Sequence, residues 1–187
     1  MIRPYRGIQA LGAASQPVFG TTMNGAGVQT LDPYSQNTNP GSNPSQTVLP
    51  VVSIVGMKTG DHVLVGLKAA FVPGGALDLG IIASINTVTP SITVSGLLKN
   101  HASGEYVVVN EDAMKVWVEP VTSTSPMYLG NASTVAVGDS SVFWVVNLPT
   151  GANPYLSATD LADTLKTSEF WIDGTSGDTF VAGFMQA

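Results

Sequence analysis

The sequence predicts a mainly β protein: an extended N-terminal arm, then two small β-barrel or sandwich-like units, with one short helix near residues 157–167. Three observations carry this. Val-, Ile- and Thr-rich runs of strand length are punctuated by Gly, Pro, Asn and Asp through most of the 187 residues. Charged residues make up only 11%, against roughly 25% in an ordinary soluble domain. The stretch "LDPYSQNTNPGSNPSQT" at 31–47 is rich in Pro, Asn, Ser and Gln and too poor in apolar residues to offset its own ordering entropy.

The arm is expected over residues 1–47. Its start, "MIRPYRGIQALGAASQ", has two arginines followed by small residues. Gly7, Gln9 and Gly12 break the apolar part, so it lacks the continuous apolar run of a signal peptide. Arg and Tyr are enriched where proteins bind one another tightly. Arg3, Tyr5 and Arg6, with Tyr34 further along, are therefore the candidate partner-binding residues. The arm reads as separable from the units it precedes, and its removal is expected to leave them folded.

Residues 48–121 read as the first β unit. "TVLPVVSIV", "DHVLVGLKAAFV", "DLGIIASINTVTPSITVSGLL" and "GEYVVVNEDAMKVWVEPV" supply five or six short strands. "INTVTPSITVSG" reads as a hairpin turning near Pro90 and Ser91. Tight turns between so many short strands favour a small barrel or sandwich.

Residues 122–187 read as the second unit. In "SATDLADTLKTS", Ser157 is placed to accept from the first-turn N–H groups and Asp160 to favour the same positive end. Leu161 and Leu165, four apart, would share a helix face. Trp117, Trp144 and Trp171 are evenly spaced. The first two lead through Trp-Val to a later Tyr-Leu, as a duplicated strand–loop–strand unit would.

Composition narrows the function. No cysteine is present, which removes disulfide, thiolate and cysteine–zinc chemistry. The formal net charge is -6, and the seven basic residues cluster only at Arg3 and Arg6. Nucleic-acid binding needs several cations on one face, so it is not expected. No apolar run approaches the roughly 18 residues of a membrane span. A surface so poor in charge is expected to be covered by other proteins.

Four residues look chemical. Asp61 and His62 adjoin in "KTGDHVLVG"; His101 and Glu105 lie in "KNHASGEYVVV". A two-His, one-carboxylate metal site would need His62, His101 and a carboxylate to meet in space. Neighbours on a strand point to opposite faces, so Asp61 and His62 are poorly placed to share a proton. The expectation is a turn instead, with Gly60 at positive φ, Asp61 bonded to nearby backbone, and Val63 and Val65 on one face of the strand that follows, His62 and Leu64 on the other. Asp173 and Asp178 in "IDGTSGDTF" supply fewer oxygens than calcium's six to eight, and read as the two ends of a hairpin turn. No nucleophile motif or phosphate loop appears. No catalytic residue, cofactor or metal is predicted.

The stretch from "MKTGDHVLVG" to "SGEYVVV", with "PMYLGNASTVAVGDSSVFWV" beyond it, resembles the structural proteins of tailed bacteriophages. With its arm and two β units, the whole chain is similar to a capsid cement (decoration) protein. The resemblance implies a role without a reaction. Made in the host cytoplasm, the protein would sit on the capsid surface of the virion, often as a homotrimer, and bridge neighbouring copies of the major capsid protein to stabilise the shell. A tail, adaptor or fibre-base part that binds a receptor or glycan is the alternative. Exposed Trp or Tyr on the 117–171 segments would favour it.

Overall fold

The computed structural model describes residues 2–30, 46–72, 74–131, 133–136, 142–146, 155–157 and 165–186. The fold is mainly β, as expected, and every strand pair is antiparallel.

The first sheet is a barrel. Around it run β3 (Gly20–Thr22), β9 (Tyr106–Val109), β6 (His62–Gly66) and β7 (Asp78–Asn86), then β8 (Ser91–Ser95), β5 (Gln46–Pro50) and β4 (Val28–Thr30). The segment 20–30 closes it. It leaves β9 as β3, bridges Met23 to Val51, and ends on β5 as β4. Two backbone bonds fasten the crossing: Val52 N–H to the Thr22 carbonyl (2.9 Å) and Asn24 N–H to the Pro50 carbonyl (3.2 Å). Alternation then fills the interior. Val63, Val65, Ile92, Val94 and Leu49 are wholly buried, while His62 stands exposed on the outer face of β6.

The expected hairpin is the β7–β8 pair, with Asn86 opposite Ser91. Asn86 Oδ1 accepts the Val88 N–H at 3.0 Å and the Thr89 N–H at 3.3 Å. This side-chain mimic of a turn bond explains why the chain reverses there.

Two further sheets follow. One takes β1 (Ile2–Ala10), β16 (Thr179–Gln186), β10 (Asp112–Thr122) and β13 (Tyr155–Ser157) in order, with β14 (Leu165–Lys166) also on β10. The other takes β12 (Val142–Val146), β11 (Met127–Gly130), β15 (Trp171–Asp173) and β2 (Gln16–Pro17). One hydrophobic core runs from the barrel (Val63, Val65, Ile82) into these sheets (Val116, Leu129, Phe184). Phe19 links the two. Its ring meets Phe184 edge-on at 5.3 Å and Phe170 edge-on at 6.4 Å between centroids.

Three expectations change. The N-terminal segment is extended, but it pairs with its own chain: β1 on β16, β2 on β15, and β3 and β4 in the barrel. It is not separable, because residues 20–30 are the strand that shuts the barrel. Residues 112–121, expected in the first β unit, belong to β10, which among the described residues pairs with β16, β13 and β14 and not with the barrel strands. The helix expected over 157–167 has strand at both ends. Ser157 closes β13, while Leu165 and Lys166 pair with Ala113 and Asp112 and lead into a single 3₁₀ turn at Thr167–Glu169. Leu165 is buried in the core, and such tertiary burial overrides the weak helix signal of so short a segment. Residues 158–164 lie outside the described residues.

Candidate functional site

The Asp61–His62 pair is a turn opening onto a strand. Gly60 has φ +92°, and Asp61 Oδ2 accepts the Lys58 N–H at 2.8 Å. Asp61 is buried, whereas His62 faces outward. His62 Nδ1 lies 3.3 Å from Glu111 Oε1, which also accepts the His62 backbone N–H at 2.8 Å. Glu111 Oε2 in turn accepts from Gln186 Nε2 at 3.3 Å. This cluster staples the barrel to β16.

His101 belongs to a different cluster. Its side chain is 3% exposed and is held on both ring nitrogens. Nδ1 lies 2.7 Å from Glu105 Oε2, and Nε2 lies 3.2 Å from Asp78 Oδ2. Asp78 Oδ2 also accepts the N–H groups of Leu98 (2.7 Å) and Lys99 (2.9 Å). The two histidines thus engage different carboxylates. The two carboxylates around His101 sit at opposite nitrogens, so they do not converge on one point as metal ligands must. Among the described residues no three His, Asp or Glu side chains are grouped to hold a metal.

Asp78 and Glu111 were not singled out from the sequence. The signal for Asp78 was a carboxylate inside the apolar run "ALDLGII", since a strand carboxylate that is buried demands partners. Glu111 carried no such signal, because its partners come from distant segments.

Asp178 anchors the 174–178 turn. Its Oδ1 accepts from Thr124 N–H (3.0 Å) and Thr124 Oγ1 (3.1 Å), and Gly177 has φ +92°. Asp173 lies on β15 opposite Tyr128. Trp171 is buried against Phe71 and Tyr106, with centroids 5.3 and 5.5 Å away. Burial pushes the Tyr106 phenol up from its ordinary range. Burial also pulls the Lys68 ammonium down, with Asp173 acting weakly the other way.

The duplicated Trp unit does not repeat in space. Trp117 lies on β10 and leads to Tyr128 on the other sheet, whereas Trp144 starts on that other sheet and leads to Tyr155 beside β10. Arg3, Tyr5 and Arg6 lie along β1, with Arg3 opposite Phe184 and Tyr5 opposite Ala182. Tyr34 lies outside the described residues.

A groove of about 560 Å³ lies between the N-terminal segment and the barrel. Ile8, Gln16, Thr21, Val52 and Tyr106 are among the residues that line it, and among the described residues no charged side chain does. No described helix is long and apolar enough to cross a membrane. Comparison with protein-family models, curated proteins and solved structures finds no match for this chain.

Proposed function

We propose that the protein is a non-enzymatic structural part of a virion. It binds the outside of a phage head and bridges neighbouring major capsid proteins, itself associating as a trimer. The observation that carries this reading is the groove between β1 and the barrel, whose described lining residues are all uncharged. At or beside it Ile8 is 65% exposed and Val52 61%. Leu79 and Ile81 on the outer face of β7, and Leu98 beyond β8, are also exposed. Large apolar side chains left in water on a charge-poor surface fit a protein that others cover. Arg3, Tyr5 and Arg6 lie on β1, which among the described residues is the end strand of its sheet, and an edge strand is where a partner can pair. They, with Tyr34, remain the proposed partner-contacting residues.

The alternative, a receptor- or glycan-binding tail, adaptor or fibre-base part, draws on exposed aromatics. Trp171 is buried and Trp117 packs over Gly183, so neither supports it.

The test is to add purified protein to heads that lack it and to image them by electron microscopy. Density on the icosahedral shell is expected. Density confined to the tail would overturn the cement reading in favour of the alternative. Ile8→Glu combined with Val52→Glu should abolish shell binding while the far-ultraviolet circular dichroism stays unchanged. Retained binding would remove the groove from the argument.

A further inference from the structure

We propose that Asp78, His101 and Glu105 form a proton-held latch that keeps the barrel shut. The ring of His101 is closed off from water and meets a carboxylate at each nitrogen, at 2.7 Å and 3.2 Å. A neutral imidazole has one N–H and one lone pair, and an ionised carboxylate only accepts. With a neutral ring, one lone pair would face another in a buried site. One proton taken up from water forms a second ring N–H and breaks nothing else in the protein. Both contacts then become charge-assisted hydrogen bonds.

The surroundings direct that proton to the ring. Asp78 Oδ2 is already an acceptor for two backbone N–H groups, and Glu105 Oε1 accepts the Ala102 N–H at 3.3 Å. From the 20–30 strand the ring's β-carbon faces Gly27, which in turn packs on Leu49 and Thr47 of β5; none of these titrates. The Lys99 side chain is exposed. Asp78 from β7 and Glu105 from its own turn are the charged groups bonded to the ring.

What the latch holds is the seam. The His101–Glu105 turn is tied to the closing strand by three backbone bonds. Gly27 N–H donates to the His101 carbonyl at 2.9 Å, Gly104 N–H to the Met23 carbonyl at 2.9 Å, and Met23 N–H to the Glu105 carbonyl at 2.7 Å. Met23 is also the residue that bridges Val51. Closing the latch binds one proton, so opening is favoured as pH rises. This inference is independent of what the protein binds.

Two measurements on the full chain test it. Nitrogen-15 NMR of the histidine rings in the folded protein should show both nitrogens of His101 protonated. Hydrogen exchange, corrected for its intrinsic pH dependence, should show protection at Met23, Gly27 and Gly104 falling steeply with pH while Val63 and Val94 hold. His62→Gln should leave that profile unchanged, and Glu105→Gln should flatten it. A singly protonated His101 ring wherever the protein is folded would overturn the proposal. So would protection at Met23 and Gly27 that follows Val63 and Val94. If Glu105→Gln does not fold, the wild-type spectrum decides.

Discussion

Gly183 lies flat under the indole of Trp117, its cross-strand partner on β10. A β-carbon added at Gly183 would stand 2.1 Å from Trp117 Cζ2. The glycine is therefore there for the ring that covers it, not for a special backbone angle. Gly183→Ala should destabilise the fold by about 1–3 kcal/mol, the usual range for overpacking. In a Trp117→Leu background the same change should be close to neutral. A double-mutant cycle by chemical denaturation measures the coupling, and equal costs in both backgrounds would contradict the contact.

The shared core predicts one unfolding transition. Phe184→Ala removes the ring that Phe19 meets edge-on, and large-to-small aromatic changes in a core cost about 3–5 kcal/mol. Because the barrel and the sheets share that core, exchange at Val94 in the barrel and at Val118 on β10 should weaken together. Separate transitions would mean that the units fold apart.

Asp61 and His62 adjoin in sequence but should respond differently. Asp61→Ala strips a buried acceptor from the Lys58 N–H, and a hydrogen bond of that kind is worth about 0.5–1.5 kcal/mol, more where a donor is left buried. His62→Ala removes only a half-exposed pair with Glu111, worth about 0–1 kcal/mol. Thermal melts of the two variants would show this ordering, and the reverse order would reopen His62 as a centre of importance.

Alkaline pH separates Tyr106 from Lys68. The Tyr106 phenol is raised in the folded state by burial, so the folded chain keeps a proton that the unfolded chain has lost. Its contribution is full below about pH 10, the ordinary tyrosine value, and falls as pH climbs through the folded value. The Lys68 ammonium is lowered, chiefly by burial, so the unfolded chain keeps the extra proton and stability from this group rises with pH. Tyr106→Phe should therefore remove an alkaline loss, and Lys68→Met should deepen it. Denaturation midpoints across that pH range give both signs.

Much of the barrel was legible in local pattern. Val63 and Val65 alternate with His62 and Leu64 as β6 requires, and the Gly60–Asp61 turn and the β7–β8 hairpin follow from turn chemistry at Gly60, Asp61 and Asn86. What failed to show was long-range. Nothing in "FGTTMNGAGVQT" announces that Met23 will meet Val51 and close a barrel. The Asp78–His101–Glu105 row shows the same limit. His101 and Glu105 were visible four residues apart, but Asp78 reaches them only because β7 and the 97–105 turn are brought together. Leu165 read as a helix residue because its spacing from Leu161 was seen and its pairing with Ala113 was not.

The pairing of Ile2 with Met185 sets an order of events during synthesis. Strand β1 has no seat until β16 has been made, whereas every barrel strand is complete by Val109. On the ribosome the barrel strands emerge first, with β1 left waiting. Its sheet then assembles as a late step that draws residues 2–10 and 179–185 side by side. A covalent link holding Ile2 beside Met185 would turn that slow, distant contact into a local one.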